Sequence, residues 1–296
     1  NLSKGHRAAV PEGVPFLNID LGDAAAVKEA MESLKPQAVM HFAGSTQVGE
    51  SVTNPGLYFR NNILSGLNLL DAMVSLGVGL FVFSSTAAVY GEPKEVPIPE
   101  EHPKEPTNPY GESKLFFEKI LRRYDVAHGL RSISLRYFNA AGAHPDGKLG
   151  EDHNPETHLI PIVLQVPLGR RAHVTIFGDD YPTEDGTCIR DYVHVCDLAS
   201  AHILALQALQ NGAASTAYNL GNGRGFSVRQ VVEVAETVVG RPIPTVMGER
   251  RPGDPAVLVA SSDKARRELG WEPKYPDLHT IIESAWRWHK AHPDGY

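Results

Sequence analysis

Between Val14 and Tyr137 the chain alternates short apolar runs with stretches of helical periodicity, and this alternation limits the available folds more than any other feature. A short apolar run bounded by turn residues is a strand buried on both faces. A helix between two such strands returns the chain to the same edge, so the strands pair in parallel. The pattern predicts strands at Val14 to Asp20, Ala38 to Ala43, Leu80 to Ser84 and Arg131 to Tyr137, and helices at Ala24 to Leu34, Leu57 to Leu76 and Tyr110 to His128. Together they make a parallel sheet covered on both faces by helices. In the last helix, Leu115, Phe116, Ile120 and Leu121 supply a core face.

Open sheets of this kind bind ligands at the carboxyl ends of their strands. The run Leu80-Phe81-Val82-Phe83 ends in Ser84-Ser85-Thr86, which puts hydroxyls at that edge. The bland reading is that these hydroxyls cap the next segment. After a Pro-rich loop from Pro93 to Pro109 comes Asn108-Pro109-Tyr110-Gly111-Glu112-Ser113-Lys114, where Tyr110 and Lys114 stand one helical turn apart on one face. Keeping a phenol ionised at neutral pH costs about 4 kcal/mol. A cation about 5 Å away, at an effective dielectric of about 20, offsets roughly 3 kcal/mol of that. An oxidised nicotinamide ring is a second positive charge that could supply the rest. Hydroxyl, phenol and ammonium in this order suit oxidation of an alcohol by hydride removal.

Past Asn139 the texture turns irregular and rich in Gly, Pro and His, as in a region that closes over a substrate. A helix from Asp197 to Gln210 packs back on the sheet. It is followed by a strand at Ala217 to Leu220, a helix at Val228 to Val239 capped by Ser227, and a last helix around His279 to His289. A net charge of -7 argues against sequence-independent nucleic-acid binding. No apolar run approaches membrane-spanning length. Two cysteines, Cys188 and Cys196, make no disulfide framework, and without a signal-like segment the expected location is the cytoplasm. The stretch Glu151 to His158 carries metal-type side chains, but its spacing fits no standard zinc signature, so it reads as a solvated loop and no metal is expected.

A dinucleotide site in such a sheet opens with a strand, a Gly-rich turn and a helix N-terminus that meets the pyrophosphate. The chain begins Asn1-Leu2-Ser3-Lys4-Gly5, as if cut just after a second strand. Gly221-Asn222-Gly223-Arg224-Gly225 is spaced differently and falls too late to take that place.

The chain resembles the UDP-glucose (UDP-galactose) 4-epimerase family of extended short-chain dehydrogenase/reductases nearly end to end. The likeness rests on His41-Phe42-Ala43-Gly44, Val48-Gly49-Glu50-Ser51, Pro109 to Lys114, Arg136-Tyr137-Phe138-Asn139, Gly142-Ala143-His144-Pro145, Tyr181 to Thr187, Arg190-Asp191-Tyr192-Val193-His194-Val195 and Tyr218-Asn219-Leu220-Gly221. The resemblance implies an α/β, Rossmann-like doubly wound parallel sheet with a smaller mixed α/β substrate region. Residues 1–139, with 190–212 packed back on them, would be the NAD-binding part, and 140–189 with 213–296 the UDP-sugar part. It implies a tightly held NAD that is not consumed, and a homodimer.

On that resemblance, Tyr110 is the base at the sugar O4, Lys114 holds the nicotinamide ribose and lowers the phenol pKa, and Thr86 bridges O4 and Tyr110. Asp20 and Leu21 match adenine contacts. Phe42, Ala43 and Gly44 match the stretch beside the dinucleotide, and Asn61, Ser84, Tyr137 and Phe138 match further contacts. For the UDP-sugar, Asn139, His158, Leu159, Thr175, Phe177, Arg190, Tyr192, Arg251 and Asp254 match. The residue types suit those roles: arginines form charge-assisted bonds to a diphosphate, Phe177 can stack on uracil, and Asp254 can accept from ribose hydroxyls. The implied reaction interconverts UDP-glucose and UDP-galactose by oxidising C4, turning a 4-keto sugar over, and reducing it on the other face.

Two alternatives compete. A 4,6-dehydratase or decarboxylase is a neighbouring reading, but dehydratases need an Asp-Glu pair where this chain has Thr86-Ala87-Ala88. A non-catalytic nucleotide-sugar binder is the other, against which stand the retained Tyr110 and Lys114.

Overall fold

A computed structural model describes residues 1–251 and 254–296. Val14 to Asp20, expected as a strand, is not one. Among the described residues no neighbouring backbone pairs with it, and ladder bonds rather than apolar alternation make a strand. The first regular helix, α1 (Ala24–Leu34), starts at Asp23, whose carboxylate accepts from the amides of Ala25 and Ala26 at 3.0 and 3.1 Å. It buries Val27, Ala30 and Met31.

Strand β1 (Val39–His41) follows, then the short helices α2 (Val48–Thr53) and α3 (Pro55–Phe59). The expected helix Leu57 to Leu76 is interrupted: a π-helical turn at Arg60–Leu64 separates α3 from α4 (Ser65–Ser75). Such wide turns re-aim side chains at functional sites, and this one carries both Asn61 and Asn62. Next comes β2 (Leu80–Thr86), which runs to the hydroxyls themselves.

Helix α5 (Pro109–His128) opens on a strong start signal. Pro109 sits in the first turn, the Asn108 side chain accepts from the Gly111 amide at 2.9 Å, and Gly129 closes the helix with φ 68°. Its buried face differs from expectation by one residue: Phe117 is fully buried and Phe116 is 51% exposed. Then come β3 (Arg131–Tyr137), β4 (Asn139–Ala141), α6 (Leu159–Gln165), β5 (Val174–Phe177), β6 (Ile189–Arg190), β7 (Tyr192–His194) and α7 (Val195–Gln210). After β8 (Thr216–Leu220) and β9 (Phe226–Ser227) the chain enters α8 (Val228–Val239), where Ser227 and Gln230 form a capping box. It finishes with β10 (Thr245–Gly248), β11 (Val257–Leu258), α9 (Asp263–Leu269) and α10 (Leu278–Ala291).

The main sheet has the order β1-β2-β3-β8, all parallel, with Val39 opposite Phe81, Leu80 opposite Arg131 and Ile133 opposite Thr216. Side-chain alternation sorts its two faces. Phe81 and Phe83 meet Val27, Leu70, Met73, Phe117 and Leu121 on the side of α1, α4 and α5. Val82, Ile133 and Leu135 meet Leu198, Ala201, Ala205 and Trp271 on the side of α7 and α9. Strand β8, placed by sequence in the region of 213–296, is instead the outer strand of this sheet.

A second core joins α6, α8 and α10 through Ile160, Val163, Val231, Val232, Ile281 and Ile282. Beside it lie the parallel pairs β5 with β10 and β4 with β7, and the three strands β11-β6-β9. Pairing of Asn139 with Tyr192 in β4 and β7 brings this part of the chain to the carboxyl edge of β3.

Candidate active site

Thr86 ends β2, and its hydroxyl accepts from the Ala88 amide at 3.1 Å. The capping role foreseen for these hydroxyls is therefore present, and it leaves Ser84 and Lys114 with other partners. Lys114 is buried, its Nζ donating to the Ser84 carbonyl at 2.9 Å. The Ser84 hydroxyl is hydrogen-bonded to the Tyr137 hydroxyl. Tyr110 stands in the first turn of α5 because Gly111 lets the helix press on the Ala88 carbonyl, where a Cβ would collide. Tyr58 packs edge-on against Tyr110, with ring centres 6.4 Å apart. Thr86, Tyr110, Lys114, Ser84 and Tyr137 are thus gathered at one strand edge.

The electrostatics differ from the expected sense. Burial pushes the Tyr110 phenol up to about 12, with the Thr86 side chain acting in the opposite direction. Burial also brings Lys114 down to about 8. The Lys114 ammonium lies 6.0 Å from the centre of the Tyr110 ring. Desolvation is the leading cause in both groups, and the Lys114 charge does not by itself lower the phenol.

Asp20 is exposed at the end of the unpaired segment and accepts from Asn1 and from the Gly22 amide, both at 2.7 Å, which hold its carboxyl below the usual range. The Leu21 carbonyl accepts from the Asn68 side chain at 2.9 Å. Phe42, 55% exposed, lies just past β1 against the His202 ring at 4.6 Å. Ala43 and Gly44 continue that edge. A Cβ on Gly44 would come within 2.9 Å of Asn62 Oδ1 and 3.6 Å of Lys114 Nζ, so bare backbone is needed there. Exposed Asn61 donates to the Ser45 hydroxyl at 3.0 Å. Phe138 packs with Val89, Tyr90, Ile98 and Leu115.

The UDP-sugar candidates form a second group. Asn139 donates to the Asp191 carbonyl at 2.9 Å. Arg190 is paired with Asp254 and also donates to the Ile189 carbonyl at 2.8 Å. Buried Tyr192 lies close enough to this pair for its phenol to feel both charges, although burial dominates and raises it. The Arg251 guanidinium lies 4.1 Å from the Phe177 ring centre, and Thr175 precedes Phe177 on the same face of β5. His158 and Leu159 stand apart at the start of α6, where His158 is exposed and paired with Glu151.

Sequence reasoning missed several residues that shape the edge. Buried Asn62 accepts from the Ser45 amide at 2.7 Å and donates to Ser113 at 2.9 Å, clamping the Gly44 strand exit to α5. His202 touches both Phe42 and Tyr137, and its buried Nε2 lacks a partner among the described residues. A histidine inside the otherwise apolar run of α7 was the available signal.

The chain belongs to the NAD dependent epimerase/dehydratase family, whose pattern matches residues 1–221. Within it the similarity is to UDP-glucose 4-epimerases. That of Halalkalibacterium halodurans is 54% identical over 296 residues, spanning 100% of this chain and 88% of the relative. A crystal structure of the enzyme from Brucella ovis in complex with NAD superposes with TM-score 0.94 at 48% identity, over 97% of this chain and 88% of that one. The enzyme from Bifidobacterium longum in complex with NAD+ and UDP gives 0.93 at 40% identity, over 100% and 91%.

Proposed function

We propose that this chain interconverts UDP-glucose and UDP-galactose with NAD as a retained cofactor. The observation that carries the reading is the convergence of Thr86, Tyr110 and Lys114 at the carboxyl edge of β2. The residues suit NAD. Gly44 offers bare backbone beside the Lys114 ammonium, and Phe42 offers an exposed apolar ring at the same edge. Lys114, Ser84 and Tyr137 would hold the nicotinamide ribose end, with Phe42, Ala43, Gly44, Asn61 and Phe138 alongside and Asp20 and Leu21 at the adenine. Bound NAD supplies reversible removal of hydride from the sugar C4, and its oxidised ring carries positive charge that favours the phenolate.

Tyr110 takes the proton of the 4-hydroxyl and later returns it, with Thr86 bridging phenol and sugar. Arg190 and Arg251 meet the diphosphate, Phe177 stacks on uracil, and Asp254 accepts from ribose. Asn139, Thr175 and Tyr192 would line the same ligand, with His158 and Leu159 reaching toward it from the start of α6. Binding energy on the UDP half keeps the 4-keto sugar bound while leaving its ring loose enough to turn over. Stereochemistry at C4 inverts with no net redox change. The division of labour we draw is 1–139 with 190–212 for NAD and the remainder for the UDP-sugar, except that Thr86, Asn139, Arg190 and Tyr192 reach the UDP-sugar from the first part and β8 serves the main sheet.

Two further readings accompany this one. A homodimer is supported by exposed Val48, Val52, Leu64 and Phe116 on α2, the π turn and α5, the first two both packed against α5. A cytoplasmic location is supported by two free cysteines and by the lack of any helix, among the described residues, long and apolar enough to cross a membrane. The deciding experiment supplies UDP-galactose to the purified protein with NAD and looks for UDP-glucose by NMR. NAD and UDP binding without conversion would replace the proposal with a binder.

A further inference from the structure

The stretch Glu151 to His158, which reads as a solvated loop, folds so that four side chains converge. One donor atom each from Glu151, His153, Glu156 and His158 lies within 4.8 Å of all the others. We propose that these four residues form a closed site for one Zn2+ ion that fixes the loop leading into α6.

The donor set and spacing suit that ion. Two imidazoles and two carboxylates make four N/O ligands, the number a closed tetrahedral zinc site uses, and bonds of about 2.1 Å separate such ligands by roughly 3.4 Å. His153 Nδ1 lies 3.2 Å from Glu151 Oε1 and 3.6 Å from Glu156 Oε1. His158 Nδ1 is in closer contact with Glu151, and that pair would part slightly to admit the ion.

An ion-pair cluster without metal is the competing reading, in which Glu151 and Glu156 raise the pKa of both imidazoles and Glu151 is itself held low. His153 and His158 both direct Nδ1 at one oxygen of Glu151, with their rings 5.1 Å apart. One divalent ion bound by both Nδ1 atoms would take the place of the two Nδ1 protons and balance the two carboxylates, and the four converging donor atoms give it a site.

The surroundings are already fixed. Glu156 Oε1 accepts from the amides of Thr157 and His158 at 2.6 and 2.8 Å, which orients a carboxylate whose side chain is only 6% exposed. The loop is tied to both ends of the chain, through Lys4 to the Asn154 carbonyl at 3.0 Å and through the Tyr296 amide to Asp152 at 3.1 Å. Zinc would use His158 Nδ1 and leave its Nε2 for other partners.

The test uses the full chain and zinc alone, without reference to turnover. Wild-type protein, His153→Gln and Glu156→Gln are loaded with zinc sulfate, dialysed, and analysed for metal. Cobalt(II) loading reports the coordination geometry by its visible bands. His153 is partly exposed, and Gln at 156 keeps an acceptor for the two amides, so both variants should fold, as circular dichroism will check. The expected result is about one zinc per wild-type chain, tetrahedral cobalt bands, and at least a tenfold loss of affinity in each variant. Absence of retained zinc in the wild type, or equal binding by wild type and both variants, overturns the assignment.

Discussion

Lys114 donates to the Ser84 carbonyl at 2.9 Å, a buried bond that joins the first turns of α5 to the carboxyl end of β2. It aligns the helix carrying Tyr110 with the strand edge carrying Thr86. Lys114 therefore has a structural task as well as the cofactor contact proposed for it.

Replacing Tyr110 by Phe removes the proton acceptor and keeps the ring packed on Tyr58. Turnover of UDP-galactose should fall by roughly a hundred- to ten-thousand-fold, while calorimetry shows nearly unchanged UDP binding. Wild-type turnover in the variant would remove Tyr110 from the mechanism.

The buried lysine makes stability depend on pH. Below about 8 Lys114 is charged in both folded and unfolded chains, and folding carries its full desolvation cost. From about 8 to 10.5 the folded chain loses this proton while the unfolded chain keeps it, so stability contributed by this group rises with pH. Urea unfolding near pH 7 and near pH 9.5 should show wild type gaining relative to Lys114→Met. A pH-independent difference between the two contradicts the burial argument.

Glu118 and Arg136 form a buried two-point pair, Nε to Oε1 at 2.9 Å and Nη2 to Oε2 at 2.6 Å, extended by Tyr90 and Ser85. Changing Glu118 to Gln leaves an uncompensated guanidinium inside the sheet layer and should cost about 3–5 kcal/mol. Denaturant titration measures it, and a loss below about 1 kcal/mol, the size of an exposed pair, would show that Arg136 finds other compensation.

Phe177 carries the Arg251 guanidinium over its ring. Truncation to Ala should weaken UDP binding by about 1–3 kcal/mol if the ring stacks on uracil. Equal losses for UDP and for inorganic pyrophosphate would assign the effect to Arg251 instead.

Phe116 points away from the core that Phe117 fills. Phe116→Glu should shift the protein to a monomer in light scattering while preserving its circular dichroism. A wild-type mass for the variant would place the proposed subunit contact elsewhere.

Much of the fold was legible because parallel strands buried on both faces must be continuous apolar runs. Leu80 to Phe83 is such a run, whereas Arg131 to Tyr137 alternates Ile133 and Leu135 with serines. Helix ends were legible where a local side chain caps them, as at Ser227. Val14 to Asp20 misled because strand identity needs a partner that periodicity does not supply. The choice between Phe116 and Phe117 also failed, since neighbouring aromatics differ by about 100° around a helix and only the packed sheet selects one.

The order of residues by itself determined the parallel α/β architecture and the pairing of a phenol with an ammonium one turn later, because both follow from local periodicity and helix geometry. Tertiary structure alone decided the direction in which that pair is shifted. Burial depth sets desolvation, and it drives Tyr110 up and Lys114 down where spacing suggested mutual stabilisation. Tertiary structure also decided that Glu151, His153, Glu156 and His158 meet, since their convergence depends on how the loop is pinned to the chain ends and not on any recognisable spacing.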